Sequence, residues 1–145
     1  MRILVLPASL FLVILLAACS SGGGEGGDLD VVLDEYSVVT DLDTLPEGPI
    51  KFDIKNAGDV QHELLIVRSD IPGAELPTKD DGSFDEGAGG VDVEREIDDI
   101  EAGDKTSRSY ELDPGNYVLL CNIVDGETSH YALGMWTQLT ITPEE

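Results

Sequence analysis

Four side chains in this 145-residue sequence are of the types that bind soft and borderline metal ions. Cys121, His130 and Met135 follow one another near the end of the chain, and His62 stands alone well before them. Together they offer a thiolate, two imidazoles and a thioether, a donor set that suits copper in both of its oxidation states. The soft sulfurs favour Cu(I) and the imidazoles accept Cu(II). The chemistry expected of such a set is the gain and loss of one electron.

Taken singly, each of these residues has an ordinary explanation. A buried thiol is often inert, a lone histidine is commonly a turn or surface residue, and a methionine commonly packs in a core. Zinc competes for thiolate and imidazole ligands, but structural zinc sites use donor sets without a thioether. The four residues together therefore favour one copper ion, with His62, Cys121, His130 and Met135 as its ligands.

Three predicted strands must bring these ligands together. Residues 62–67 follow a turn rich in Asn, Gly and Asp and are apolar on both faces, which predicts a buried strand that begins at His62. Residues 117–121 follow a second turn and form a buried strand that ends at the cysteine. Residues 136–142, with apolar side chains among threonines, form the last strand. The remaining ligands then lie on the loop between these last two strands.

The rest of the chain also predicts β-structure. Residues 31–39 and 50–54 alternate between apolar and polar side chains and are predicted to be half-buried strands. Residues 106–112 alternate weakly, and residues 91–100 fit either a helix or a strand. Short strands, frequent turns and the absence of a long helical period predict an all-β fold, a Greek-key β-sandwich.

The segment of residues 70–90 breaks this pattern. It is rich in proline, glycine and acidic residues, and it is predicted to be a long surface loop. The acids of residues 80–86 do not have the spacing of an EF-hand, so a solvated loop is favoured over a calcium site.

The beginning of the chain predicts export. Arg2 supplies a positive charge, and residues 3–18 form an almost unbroken apolar run that is short for a membrane span. Small residues then precede Cys19, and residues 20–27 are nearly all serine and glycine. This resembles the lipobox of bacterial lipoproteins, in which the cysteine becomes the first mature residue and carries the lipid. The alternative is an ordinary secretory signal that happens to contain a cysteine.

The predicted organisation therefore has three parts. Residues 1–18 are a lipoprotein signal peptide, residues 19–27 are the lipidated cysteine and a flexible Gly/Ser tether, and residues 28–145 are one domain. The mature protein is expected to be exported and held at a membrane by its lipid, facing the periplasm or the cell exterior.

Charge and cysteine content narrow the choice of partners. The chain contains 8 basic and 30 acidic residues, a formal net charge of −22, which disfavours nucleic acid and anionic lipid surfaces. Such a surface either attracts a basic partner or keeps a protein soluble at high salt. With Cys19 assigned to the lipid, Cys121 is a single thiol in an oxidising compartment. It is an inert core thiol, a bridge between two copies, or a metal ligand.

The arrangement resembles the cupredoxins over essentially the whole exported domain. Members of that family place one histidine after an Asn-containing turn, here residues 56–62, and three ligands on the loop before the last strand, here residues 121–135. Tyr117 and the glycine before Met135 also lie where cupredoxins commonly place them. The separation between His130 and Met135 is like that of plastocyanins. The separation between Cys121 and His130 is longer than in plastocyanins. It resembles that of sulfocyanin-like proteins and of the type 1 site of copper nitrite reductases.

The resemblance implies a type 1 blue-copper protein that carries single electrons at the outer face of a membrane and is not an enzyme. It implies redox proteins as partners, with a basic docking face. It also implies an electron exit at His130, with the ring edge exposed inside an apolar patch formed by Tyr131, Ala132, Leu133 and Trp136. Nitrite reduction needs a second copper and further histidines, which the chain does not have. The main alternative is an exported copper-binding or copper-delivery protein without redox turnover, and a metal-free binding module is a third possibility.

Overall fold

A computed structural model describes residues 24–144 of the chain. The predicted signal peptide, the lipidation site at Cys19 and most of the tether lie outside these residues, and they remain predictions. Within residues 24–144, no helix is long and apolar enough to cross a membrane.

The described part of the chain is built almost entirely from short β-strands, with one turn of 3-10 helix at Gly73–Glu75. In chain order the strands are β1 (Gly27–Asp34), β2 (Ser37–Thr40), β3 (Thr44–Pro46), β4 (Gly48–Asn56), β5 (His62–Arg68), β6 (Asp92–Ile100), β7 (Lys105–Leu112), β8 (Gly115–Leu120), β9 (Val124–Asp125), β10 (Thr128–Ser129) and β11 (Trp136–Thr142).

These strands form two packed sheets and a small hairpin. The first sheet has the order β2-β1-β4-β7 and the second has the order β3-β11-β8-β5-β6. Strands β1 and β4 pair in parallel, as do β3 and β11, and the other pairs are antiparallel. The hairpin of β9 and β10 stands apart on the connection between β8 and β11. The prediction of an all-β Greek-key sandwich is confirmed.

The core between the two sheets follows from side-chain alternation. In β4, every second residue is buried, and the intervening residues are exposed or partly exposed. Because successive side chains point to opposite faces of a strand, one face of this sheet meets the core and the other meets water. The core side chains from β1 and β4 pack with those of the second sheet. The central ones are Leu29, Val31, Leu33, Ile50, Phe52, Ile54, Leu64, Ile66, Tyr117 and Leu119.

Strands β5 and β8 at the centre of the second sheet are buried on both faces, and the segment of residues 70–90 covers their outer face. Leu65 and Leu120 face away from the sandwich core, and Leu76 and Phe84 from this segment cover them in a second apolar cluster. The segment is largely a loop, as predicted, but it is not simply a solvated surface loop. Its two large buried apolar side chains, Leu76 and Phe84, are isolated from other apolar residues, so they produce no periodic signal in the sequence.

One predicted element differs from the observed one, and one open alternative is decided. The predicted strand of residues 31–39 is in fact the hairpin of β1 and β2, which turns at Glu35 and Tyr36. The segment of residues 91–100, which fitted a helix or a strand, contains strand β6 at the edge of the second sheet. Its exposed acidic side chains follow from that edge position, because only β5 pairs with it.

Candidate metal centre

Three of the four predicted ligands meet at one end of the sandwich. The Nδ1 atoms of His62 and His130 lie 3.3 Å apart, and the Sγ atom of Cys121 lies 3.8 Å from the first and 3.4 Å from the second. All three residues are buried. Residues separated by more than fifty positions in the sequence therefore present their donor atoms to a common point.

The size of this triangle fits a metal ion. A point equidistant from three atoms at these separations lies about 2.0 Å from each of them, and zinc–ligand distances for imidazole nitrogen and thiolate sulfur are about 2.0–2.3 Å. The donor set and its spacing fit a first-row transition metal.

Strand β8 and the loop after it position Cys121 and His130. Cys121 follows the last residue of β8, and its backbone N–H donates to the carbonyl of Met135 at 3.1 Å. The N–H of His130 donates to the carbonyl of Ile123 at 2.9 Å. The β9–β10 hairpin between them turns at Gly126, whose φ of +62° favours glycine. This hairpin accommodates the long separation between the two ligands.

Met135, the fourth predicted ligand, is hydrogen-bonded through its backbone to Cys121 and His130. It is fully buried in the same core cluster as Cys121, and its N–H donates to the carbonyl of His130 at 3.1 Å. The preceding Gly134 has a φ of +97°, which lets the loop turn into β11. The structure thus holds the methionine backbone between two of the predicted ligands, while its role as a ligand remains a prediction.

His62 is held by the loop that precedes it, and Asn56 shapes that loop. The Asn56 side chain donates to the carbonyls of Val60 and Ile100, each at 2.8 Å, and accepts from the N–H of Gly58 at 2.9 Å. Because Asn56 is fully buried, these bonds fix the path of the chain into β5. The Asn-containing turn noticed in the sequence is therefore a structural support of the site.

The turn between β1 and β2 touches both histidines, which the sequence did not indicate. The Glu35 carboxylate lies 3.2 Å from Nε2 of His62, on the side of the ring away from the triangle. The Tyr36 ring packs edge-on against His130, with ring centroids 4.9 Å apart. No motif marks these residues, because a tight turn with one acid and one aromatic residue is common.

Burial sets the protonation of the metal-free site. It raises the pKa of the Cys121 thiol to about 11, although backbone N–H groups of Glu63 and Ile123 act in the opposite direction. Burial also lowers the pKa of His130, and the neighbouring His62 lowers it further. Both effects favour neutral side chains. A bound metal cation would reverse this preference for the thiol, since a coordinating thiol is deprotonated.

Two further acidic residues, Asp81 and Glu63, accept hydrogen bonds from neighbouring groups of the protein. In the segment of residues 70–90, Asp81 accepts hydrogen bonds from the N–H and the hydroxyl of Ser83, which hold its own turn and lower its pKa. Burial raises the pKa of Glu63 to about 7, and Glu63 accepts the N–H of Asn122, directly after the cysteine. The structure gives no support for calcium in the acidic loop.

Comparison with known proteins identifies the fold. Neither models of known protein families nor curated protein sequences give a match. Solved structures do: reduced auracyanin from Roseiflexus castenholzii is 22% identical, with a TM-score of 0.56, over 84% of this chain and 100% of its own. Reduced rusticyanin is 17% identical, with a TM-score of 0.52, over 81% of each chain. Auracyanin A from Chloroflexus aurantiacus, a "blue" copper protein, is 17% identical, with a TM-score of 0.50, over 81% and 100%.

The chain has a cupredoxin fold. The resemblance noticed in the sequence is therefore correct at the level of the fold. In this cupredoxin fold, the three predicted ligands that form the triangle lie where the end of β8, the start of β5 and the loop before β11 converge.

One expectation drawn from the resemblance is wrong. His130 does not present an exposed ring edge, because only 1% of its surface is accessible. Tyr131 is also buried and donates a hydrogen bond to the carbonyl of Gly73, and Trp136 packs in the second apolar cluster. Of the predicted apolar patch, Ala132 and Leu133 are exposed, Leu133 at 53%.

A groove nevertheless leads to His130 from the surface. It is lined by His130, Val60, Gln61, Ile123, Val124 and Asp125. Tyr36 packs on the same imidazole, so the ring is covered by side chains without lying deep in the protein. The site is thus close to the surface and shielded from water.

Proposed function

We propose that this protein is a type 1 copper protein that carries single electrons. The observation that carries the proposal is the buried triangle of two Nδ1 atoms and one Sγ atom with sides of 3.3–3.8 Å. Two histidines and one cysteine in this arrangement, with a methionine nearby, are the donors of blue-copper electron-transfer sites. The likeness to auracyanin A, named as a "blue" copper protein, supports the choice of copper over zinc.

His62, Cys121, His130 and Met135 would hold the copper, with the Met135 thioether as the weakest of the four donors. Copper in such a site supplies a centre that accepts and releases one electron. The protein contributes one ligand from the start of β5 and the others from the connection between β8 and β11, and strand pairing and backbone hydrogen bonds hold them in place. Little rearrangement of these ligands is then needed between the two oxidation states. Burial of all four residues excludes water from the site.

Electron transfer without further chemistry is part of the proposal. The chain contains two histidines, and both belong to the site, so no histidine remains for general acid or base catalysis elsewhere. The alternative of copper delivery needs ligands that release the ion readily. Fully buried donors on a rigid sandwich favour retention of the metal instead.

An absorption spectrum of the copper-loaded protein tests the proposal. The Cu(II) form should have an intense visible band from charge transfer between the Cys121 thiolate and the metal. Cys121→Ser should abolish this band, whereas Cys19→Ser, the matched change at the other cysteine of the chain, should keep it. A visible band that persists unchanged in Cys121→Ser would contradict the assignment of the ligand and of the function.

The same proposal includes the setting in which the protein works. Cys19 would carry a lipid and hold the protein at the outer face of a membrane, facing the periplasm or the cell exterior. Redox proteins with a basic docking face would be its partners. The support for these points is the lipobox-like sequence before Cys19 and the net charge of −22.

A further inference from the structure

We infer that Glu35 is a positioning residue for the copper site: its carboxylate fixes the His62 imidazole from outside and stabilises the oxidised state of the metal. The inference about the metal rests on the proposed function. The inference about the orientation of the ring concerns the chain alone and is testable without copper.

The contact between Glu35 and His62 determines which ring nitrogen of His62 carries the proton and which has a free lone pair. A carboxylate only accepts hydrogen bonds, so Nε2 of His62, 3.2 Å from Oε1 of Glu35, must carry the proton. A neutral imidazole has one N–H, and Nδ1 is then left with a lone pair. That lone pair belongs to the atom that lies 3.3 Å from Nδ1 of His130 and 3.8 Å from Sγ of Cys121. Glu35 thus selects the tautomer that can bind a metal.

The Glu35 carboxylate is itself held in place. Its Oε1 atom also accepts the N–H groups of Asp59 and Val60, at 2.9 and 3.0 Å. A Cβ at Gly58 would lie 2.3 Å from the same oxygen, so the approach of the carboxylate requires glycine there. A surface acid with free rotation would make none of these contacts. The loop before β5 and the β1–β2 turn therefore hold the Glu35 carboxylate in this position together.

The two histidines differ in their outer partners. His62 meets a carboxylate, whereas His130 meets the aromatic ring of Tyr36. Outer carboxylate partners of metal-bound histidines orient the ring and make the imidazole a stronger donor. A fixed negative charge on the far side of His62 also favours the more positive oxidation state, and the surrounding protein screens it less than water would. Glu35 should therefore lower the reduction potential of the site.

The electron balance is simple. Copper bound at this site would take one electron from a partner on reduction and return it on oxidation. No proton needs to move, because the proton on Nε2 of His62 stays in its hydrogen bond to Glu35 in both states. The charge of Glu35 stabilises Cu(II) more than Cu(I), which is the origin of the expected shift.

A simpler role for Glu35 is to fasten the loop through the N–H groups of Asp59 and Val60. Glu35→Gln separates the two roles, because glutamine retains an oxygen that accepts these N–H groups and removes the charge. Asp59→Asn is the matched control. It removes one negative charge from the same loop, and the Asp59 side chain is exposed.

The experiment uses the full-length protein as the cell processes it, in metal-free and copper-loaded forms. In the metal-free form, long-range proton–nitrogen NMR correlations of the histidine rings should show His62 protonated at Nε2. Glu35→Ala should give a mixture of tautomers. In the copper-loaded form, Glu35→Gln should raise the reduction potential clearly more than Asp59→Asn does, with the visible band retained.

Equal potentials in Glu35→Gln and Asp59→Asn would overturn the electrostatic role. An unchanged His62 tautomer in Glu35→Ala would overturn the positioning role. A wild-type protein that binds no copper would instead refute the proposed function, and the NMR measurement on the metal-free protein would still decide whether Glu35 positions His62.

Discussion

Tyr36 lies edge-on against His130, with ring centroids 4.9 Å apart and ring planes at 64°. Its neighbour Glu35 contacts His62, so the turn between β1 and β2 covers both histidines of the site. This turn belongs to the first sheet, whereas both histidines lie on elements of the second sheet or its loops. The site is therefore closed by contact between the two halves of the sandwich.

Because Tyr36 covers His130, its removal should admit water and competing ligands to the metal. We expect copper in Tyr36→Ala to pass to a chelator severalfold faster than in the wild type, with the visible band present at the start. The measurement is the loss of that band with time. Tyr110→Ala is the control, since Tyr110 is also partly buried but packs against Phe52 in the first sheet. Equal rates in the two variants would show that Tyr36 does not shield the site.

Electron exchange should depend on the exposed apolar side chain near the site. Leu133→Asp should slow the oxidation of the reduced protein by a cationic redox partner while leaving the visible spectrum unchanged. Leu42→Asp, at a residue that is 44% exposed on the connection between β2 and β3, should have little effect. The rate should also fall as salt rises, because rim charges act mainly on association. Stopped-flow measurements at several ionic strengths test both points, and a rate indifferent to Leu133→Asp and to salt would place docking elsewhere.

Met135→Leu should retain copper and visible colour and raise the reduction potential. Leucine preserves the size of this fully buried side chain, so the core should still pack. The change removes a weak sulfur donor that stabilises Cu(II). Voltammetry of the purified variant measures the shift. A variant that binds no copper at all would mean that Met135 has a structural role that leucine cannot replace.

Asn56→Ala should destabilise the fold, because it leaves the carbonyls of Val60 and Ile100 without their buried donor. We expect a loss of roughly 2–4 kcal/mol in the free energy of unfolding of the metal-free protein. Denaturant titration provides the measurement. Asn116→Ala is the control: this side chain is exposed, donates to Asp70, and should cost less than about 0.5 kcal/mol. Similar losses of unfolding free energy in both variants would show that the buried hydrogen bonds of Asn56 stabilise the fold no more than an exposed side chain does.

Cys19→Ala should yield a protein without lipid, because the lipobox-like sequence makes Cys19 the attachment point. Mass spectrometry of the protein extracted from membranes, with detergent partitioning of both forms, measures the modification. Wild-type protein that is fully soluble and carries no lipid would refute the anchor, and the copper site would be unaffected by that outcome.

The sequence by itself determined the strands next to the predicted ligands and the donor atoms that these residues offer. Strand β11 has the predicted bounds, and β5 begins at His62 as predicted, because alternating or continuous apolar runs between turn residues are a local property. Donor chemistry is equally local, since a thiol, two imidazoles and a thioether are visible in any sequence. Three of the four predicted ligands meet in space.

Only the tertiary structure decided what surrounds those donors. The contact of Glu35 with His62 joins residues 27 positions apart, and the contact of Tyr36 with His130 joins still more distant ones. The burial of Phe84 against the outer face of the second sheet is of the same kind. Such contacts depend on which strands become neighbours. A single acid, aromatic or apolar residue in a turn or loop forms no periodic pattern from which its contacts could be predicted. The covered His130 follows from the same packing, because the exposure of a side chain depends on what other segments place over it.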